Sequence, residues 1–86
     1  TKFFKIMNIN SIKEKIKDFI PESKVEVKDT TGTGDHFSVI VISDKFENVN
    51  LVNRHKMIYE SLSQYVTKEI HALQIKTYTE KEFLDA

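Results

Sequence analysis

Two strand-like segments flank a short glycine-containing loop, and this arrangement restricts the possible folds most. In the first segment, Val25 and Val27 alternate with charged residues, as in a half-buried strand. The second segment, residues 37–42, is apolar on both faces, which is typical of a central strand covered at least in part on both sides. Residues 30–35, with the sequence TTGTGD, allow only a short connection. The sequence therefore predicts a β-hairpin.

Two amphipathic helices are predicted on either side of this hairpin. The first has a capping-box pattern at Ser11–Glu14, ends at Pro21, and carries the apolar positions Ile12, Ile16, Phe19 and Ile20. The second is the longer, with Asn50 as its N-cap. Its predicted apolar stripe contains Leu51, Val52, His55, Ile58, Tyr59, Leu62, Tyr65 and Val66.

The last part of the chain predicts one more strand and a short helix. Residues 70–78 alternate, with Leu73, Ile75 and Thr77 on one face together with His71. Thr79–Glu82 repeats the capping-box pattern, and the helix that follows is expected to turn Phe83 and Leu84 inward. The predicted order is α-β-β-α-β-α. This order predicts an α+β domain with helices packed on one face of a three-stranded sheet.

Composition excludes several classes of function. An 86-residue chain forms one small domain with a thin core. Its 13 basic and 13 acidic residues cancel, so net charge gives no attraction to nucleic acid or anionic lipid. Cysteine is absent, which removes disulfides, thiol nucleophiles and thiolate zinc sites. No apolar run is long enough to cross a bilayer, so we expect no membrane association.

Three histidines are the strongest candidate metal ligands apart from carboxylates. Their spacing matches no zinc motif. His55, on an apolar helix stripe, is better explained by packing. His36 opens a strand, where a hydrogen bond to Asp35 and a binding role are equally reasonable. His71 also begins a strand, and from the residues themselves a capping or turn hydrogen bond explains it best.

The polar residues give no catalytic grouping. No nucleophile, base and orienting residue stand together, and there is no phosphate-binding loop. Adjacent strand residues such as Asp35 and His36 would point to opposite faces and would not build a relay. We expect no enzymatic activity.

Two sequence blocks resemble the BolA-like family. They are FENVNLVNRHKMIY, residues 46–59, and IHALQIKTYTEKEF, residues 70–83. The family combines an acidic-aromatic turn, an Arg-His-Lys/Arg-Met helix and a His-Ala-Leu strand in this order. The short loop between the first two strands is similar to that of the family's cytosolic branch. The resemblance implies a type II KH-like fold over residues 11–86, and we interpret residues 1–10 as a flexible N-terminal remnant.

The resemblance also implies a function. BolA-like proteins bind a monothiol glutaredoxin and share a [2Fe-2S] cluster with it and glutathione, in iron–sulfur cluster assembly, trafficking or iron regulation. His71 corresponds to the family's histidine ligand. Many relatives supply a second ligand from the hairpin loop, which here has Thr33 about where Cys often stands, so His36 is the nearest substitute. Nitrogen ligation of such a cluster has precedent in Rieske centres.

The expected partner surface is the third strand and its flanks. It comprises Lys76, Thr77 and Tyr78 together with Arg54 and Lys56, and a basic rim would suit an acidic partner or glutathione carboxylates. The isolated chain is expected to be a monomer without cofactor, and apoproteins that receive the cluster are further candidate partners. The resemblance implies a cytoplasmic location, extending to the nucleus, with a mitochondrial location as the alternative.

Two other family differences bear on the fold. Asn48 stands at a turn position usually held by Gly, and Phe83 replaces the usual Trp. Asn tolerates left-handed backbone angles and Phe fills a similar volume, so neither change is expected to alter the fold.

Nucleic-acid binding is the alternative function. Arg54, His55 and Lys56 form a small basic patch on the second predicted helix, and some BolA-like proteins are described as transcriptional regulators. A KH module also needs a GXXG loop between two helices, whereas Gly32 and Gly34 lie in a hairpin. The requirement is unmet, and a solvated helix face explains the patch equally simply.

Overall fold

The computed structural model describes residues 8–63 and 72–86. Along these ranges the elements are α1 (Ile9–Phe19), β1 (Lys24–Asp29), β2 (His36–Ile42), a 3₁₀ turn (Asp44–Phe46), α2 (Leu51–Ser61), β3 (Ala72–Tyr78) and α3 (Glu80–Asp85). The predicted order of helices and strands is confirmed. None of the helices in these ranges has the length and apolar character needed to cross a membrane.

The three strands form one mixed sheet with β2 in the centre. β1 pairs antiparallel with β2, from Lys24 opposite Ile42 to Asp29 opposite Phe37, as the predicted hairpin requires. β3 pairs parallel with β2, from His36 opposite Ala72 to Ile42 opposite Tyr78. The amino ends of β2 and β3 therefore lie side by side.

The core lies between the sheet and the first two helices. α1 packs over β1 and against α2, and α2 packs over β3. The core consists of buried apolar residues from or next to both helices and from the inward strand faces, with Phe46 from the 3₁₀ turn. They are Ile12, Ile16, Ile20, Val27, Phe37, Val39, Val41, Phe46, Ile58 and Leu62. Helices on one face of a three-stranded sheet were the predicted architecture, and α1 and α2 confirm it.

The helix starts agree with the predicted caps in two of three cases. Asn50 accepts a hydrogen bond from the Asn53 N–H at 2.9 Å, and Thr79 forms the predicted capping box with Glu82. The predicted cap at Ser11 is wrong, because Asn8 accepts from the Ser11 N–H at 2.8 Å and starts α1 at Ile9. Residues 8–10 thus form the N-cap and first turn of α1, and residues 1–7 of the predicted remnant lie outside the described residues.

The predicted apolar stripe of α2 is only partly correct. Ile58 and Leu62 are fully buried, but Leu51 and Val52 in the first turn are 59% and 65% exposed. The side chain that turns inward in their place is Arg54, which is only 8% exposed. Tyr65 and Val66 lie outside the described residues. On α1, Phe19 is likewise exposed, whereas Ile12, Ile16 and Ile20 are buried as predicted.

The C-terminal helix does not bury its apolar residues as predicted. Leu84 is 79% exposed and Phe83 is 45% exposed. Phe83 instead meets the Tyr78 ring edge-to-face, with 5.6 Å between the ring centroids. It also lines a shallow cavity of about 180 Å³ with Ile40 and Ile42, whose side chains point away from α1 and α2. α3 thus places one aromatic ring on the sheet face opposite the main core.

Asn48, Gly32 and Gly34 occupy turn positions with left-handed backbone that suit these residue types. Asn48 has φ 62°, a left-handed backbone angle that Asn was expected to tolerate at this turn. Gly32 and Gly34 have φ 75° and 79° in the hairpin loop. In this region an L side chain costs about 1–2 kcal/mol, so glycine suits both positions.

Candidate metal-ligand site at the amino ends of β2 and β3

His36 is the first residue of the central strand and lies at the end of the sheet that carries the hairpin loop. It pairs with Ala72, the first described residue of β3. The Ala72 N–H donates to the Asp35 carbonyl oxygen at 3.2 Å, which joins the loop to the start of β3. The imidazole of His36 is 42% exposed, so a partner can reach it.

His71, the principal predicted ligand, lies outside the described residues. It is the residue directly before Ala72 in the sequence. Its role stays a prediction, and the described part of the site is His36, the hairpin loop and the start of β3.

The hairpin loop is organised by the carboxylate of Asp29. Its Oδ1 accepts from the Gly32 N–H and its Oδ2 from the Gly34 N–H, both at 2.9 Å. The Thr30 N–H donates to the His36 carbonyl oxygen at 2.9 Å and closes the hairpin. Because one side chain binds two main-chain amides, the loop holds a defined shape just before His36.

A chain of polar contacts leads from the loop to the imidazole. The Nδ1 atom of His36 lies 2.8 Å from Oδ1 of Asp35. The same oxygen accepts a hydrogen bond from the hydroxyl of Thr33, and the Thr33 and Thr31 hydroxyl oxygens are 2.5 Å apart. The predicted Asp35–His36 hydrogen bond is confirmed. The expectation that these two side chains diverge is wrong, because Asp35 precedes the strand and lacks strand geometry.

The described residues do not hold a complete metal site by themselves. No group of three His, Cys, Asp or Glu side chains in residues 8–63 and 72–86 is arranged to bind a metal ion. Cysteine is absent from the whole sequence, so this chain has no thiolate to give. An imidazole can bind one iron of a [2Fe-2S] cluster, as it does in a Rieske centre. With this chain, a partner would have to supply the thiolates for the other positions.

Arg54 differs most from its predicted place on a basic partner rim. Its Nε donates to the Val49 carbonyl at 2.7 Å and its Nη2 to the Phe46 carbonyl at 3.0 Å. Its guanidinium also binds both carboxylate oxygens of Glu82, at 2.6 and 3.1 Å. The carbon at its centre lies 5.5 Å from the centroid of the Phe46 ring. Arg54 therefore satisfies buried groups inside the chain and is not on an open surface.

The contact with Arg54 lowers the pKa of the Glu82 carboxyl group. The hydrogen bond from Arg54, reinforced by one from the Thr79 N–H at 2.9 Å, lowers the pKa of Glu82 from 4.5 to about 2. The sequence signal for this pair was the capping box at Thr79. That signal explained the helix start but not the second partner, which is 28 residues away.

Of the other predicted partner residues, Lys56 lies on α2, and Lys76, Thr77 and Tyr78 lie on β3. Lys76 and Lys56 are exposed and Tyr78 is half-buried, whereas Thr77 is buried, with no hydrogen-bond partner for its hydroxyl among the described residues. An apolar groove of about 300 Å³ runs between α2 and β3. It is lined by Leu51, His55, Ile75, Lys76, Thr77 and Tyr78. His55 thus lines the groove, half-buried, in keeping with its predicted packing role.

Comparison with known proteins supplies the family. The chain matches the family model described as BolA-like protein over residues 8–82. It is 35% identical over 79 residues to the DNA-binding transcriptional regulator BolA of Escherichia coli K12, covering 84% of this chain and 75% of that protein. It is 33% identical over 79 residues to mouse BolA-like protein 2, covering 90% and 91%.

Solved structures agree with these sequence matches. BolA1 from Arabidopsis thaliana superposes with a TM-score of 0.79 at 29% identity, over 90% of this chain and 98% of that one. The BolA domain of SufE1 from the same plant gives a TM-score of 0.76 at 30% identity, over 86% and 93%. The predicted family and fold are both confirmed, and the chain belongs to the BolA-like family.

Proposed function

We propose that this chain is an adaptor that binds a monothiol glutaredoxin and shares a [2Fe-2S] cluster with it. It would act in iron–sulfur cluster assembly or trafficking, or in iron regulation, and not as an enzyme. The observation that supports the proposal best is the pairing of His36 with Ala72, the residue that follows His71. A ligand pair drawn from the adjoining amino ends of β2 and β3 needs only this backbone arrangement.

The ligands in this proposal come from both proteins. His71 is the first ligand from this chain and His36 the second. The glutaredoxin cysteine and a bound glutathione supply the thiolates that this cysteine-free chain lacks. The isolated chain would then carry no cluster and be a monomer in the cytoplasm, and apoproteins that receive the cluster would be later partners.

The proposed partner surface continues from the ligand site along β3. Lys76 on β3 and Lys56 on α2 give it exposed positive charge, and Thr77 and Tyr78 line the groove between α2 and β3. Exposed lysines favour an acidic partner and mainly raise the rate of association. Arg54 is left out of this surface because its guanidinium is bound inside the chain.

The test is reconstitution of the shared cluster. Purified chain is mixed with a monothiol glutaredoxin, iron, sulfide and glutathione, and visible absorption and circular dichroism are recorded. We expect a spectrum distinct from that of glutaredoxin by itself. His71→Ala should abolish the difference, His36→Ala should change or weaken it, and Asp18→Ala, which alters an exposed residue of α1 outside the proposed surface, should leave it intact as the control.

Two results would contradict the adaptor function. One is a wild-type spectrum identical to that of glutaredoxin without this chain. The other is an equal effect of His71→Ala and Asp18→Ala, which would mean that His71 is not needed. Far-ultraviolet circular dichroism and thermal unfolding of each variant separate loss of a ligand from loss of the fold.

A second candidate function is DNA binding, which the name of the Escherichia coli relative suggests. Near the predicted basic patch, Lys56 and Lys76 are exposed and available for phosphate contacts, while Arg54 is engaged internally. Titration with a short duplex over a range of salt concentrations is the test. A steep loss of affinity with rising salt concentration, with a smaller slope in Lys56→Ala and Lys76→Ala, would support DNA binding. An affinity that does not change with salt would exclude it.

A further inference from the structure

We infer that Asp35 is a positioning residue that fixes which nitrogen of His36 faces the metal. The carboxylate holds Nδ1, so Nε2 is the atom offered as a ligand. The inference rests on the proposed cluster-sharing function and adds to it a residue outside the ligand set.

The 2.8 Å contact determines the proton position on the ring. An ionised carboxylate only accepts hydrogen bonds, so the partner atom Nδ1 must carry the proton. In a neutral imidazole the other nitrogen, Nε2, then has the lone pair. Without Asp35, nothing in this contact would select between the two tautomers.

Asp35 is itself held both at its side chain and at its main chain. The Thr33 hydroxyl donates to the same Oδ1 that binds His36, and the Asp35 main-chain oxygen accepts from the Ala72 N–H at 3.2 Å. Asp29 fixes the preceding loop through Gly32 and Gly34. Asp35 is therefore restrained before any partner binds, which is what orientation of a ligand requires.

This arrangement has a known chemical consequence at metal sites. A carboxylate on the far nitrogen of a ligating histidine fixes the tautomer and raises the basicity of the ligand, and its removal typically costs 10–100-fold in metal affinity. Here Thr33 takes part in the support of the ligand and supplies no metal-binding atom itself. The loop would thus contribute an oriented imidazole from its end.

The tautomer is measurable without glutaredoxin or cluster. Long-range ¹H–¹⁵N correlation spectra of the isolated chain, recorded well above the usual titration range of histidine, distinguish the two neutral forms. We expect the Nδ1–H form for His36 in the wild type and in Asp18→Ala, a control that removes an exposed carboxylate from α1. Asp35→Ala should shift His36 toward the Nε2–H form. A wild-type His36 in the Nε2–H form would overturn the inference.

The cluster experiment then tests the positioning role. With cluster-loaded glutaredoxin, we expect Asp35→Ala to bind about 10–100-fold more weakly than Asp18→Ala, with Asp35→Asn between them because its amide oxygen can still accept from Nδ1. If Asp35→Ala and Asp18→Ala bind equally while the wild type gives the shared-cluster spectrum, only the inference is overturned. If the wild type gives no shared-cluster spectrum, the proposed function fails and the ligand role of His36 fails with it.

Discussion

Arg54 in α2 and Glu82 in α3 are joined by two hydrogen bonds, of 2.6 and 3.1 Å, across 28 residues of sequence. The same guanidinium binds the carbonyl oxygens of Phe46 and Val49 in the turn before α2. One side chain therefore connects the 3₁₀ turn, the start of α2 and the C-terminal helix. A planar guanidinium suits this task because it offers several donors in fixed directions.

Removal of Arg54 should destabilise the fold more than removal of a nearby exposed cation. Arg54→Ala leaves the Phe46 and Val49 carbonyls without their donors, and we expect a loss of at least about 2 kcal/mol in the free energy of unfolding. Arg54→Lys should lose less, since it keeps the charge but not the fork of donors. Urea unfolding measures both against Lys56→Ala, and equal midpoints for Arg54→Ala and Lys56→Ala would contradict the role.

Acid should weaken the same connection in a defined pH range. The folded-state pKa of Glu82 is about 2, below its ordinary value of 4.5, so its ionised form stabilises the fold fully above 4.5. That contribution is lost as the pH falls from 4.5 to about 2. We expect the unfolding midpoint of the wild type to fall more steeply in this range than that of Glu82→Gln. Parallel profiles would show that Glu82 is not the group responsible.

Two leucines that the sequence placed on one stripe of α2 should behave differently. Leu62 is fully buried, so Leu62→Ala removes core contacts and should cost about 2–5 kcal/mol. Leu51 is mostly exposed, so Leu51→Ala should change stability by less than about 0.5 kcal/mol. Thermal or urea unfolding of this chemically matched pair is the measurement, and similar losses would mean that Leu51 belongs to the core.

The hairpin loop should loosen when its organising carboxylate is removed. Asp29→Ala deprives the Gly32 and Gly34 amides of their acceptor, and we expect faster hydrogen exchange of both amides and a loss of about 1 kcal/mol. Asp18→Ala is the control for the change in charge. Unchanged protection of the two glycine amides would show that Asp29 does not shape the loop.

The strands were predictable because each carries its own signal. Alternation in residues 72–78 correctly grouped Leu73, Ile75 and Thr77 on one face of β3, which is the more buried one. The short glycine-containing loop correctly predicted that β1 and β2 pair as a hairpin. The same local information could not choose between Asn8 and Ser11 as the first helix cap, since both are good caps three residues apart. The choice depends on how much of the helix can pack, which a local pattern does not show.

The inward position of Arg54 could not be predicted for a different reason. Helical periodicity treats arginine as a polar residue and assigns it to the solvent side. Its burial depends on acceptors from three other places in the chain: the Phe46 and Val49 carbonyls and the Glu82 carboxylate. Likewise, the contact between Asp35 and His36 depends on where β2 begins, which alternation fixes only to within a residue or two.

The pairing of β2 with β3 has a kinetic consequence for the ligand site. β1 and β2 are joined by a six-residue loop, residues 30–35, so their hairpin can form through a short closure, whereas His36 and Ala72 are far apart along the chain. Contacts between distant residues carry a larger loop entropy and form late in folding. His36 should therefore gain its neighbour on β3 only in the last stage of folding, after the hairpin that carries it. Under the proposed function, the paired ends of β2 and β3 would be ready for a shared cluster only when folding is complete.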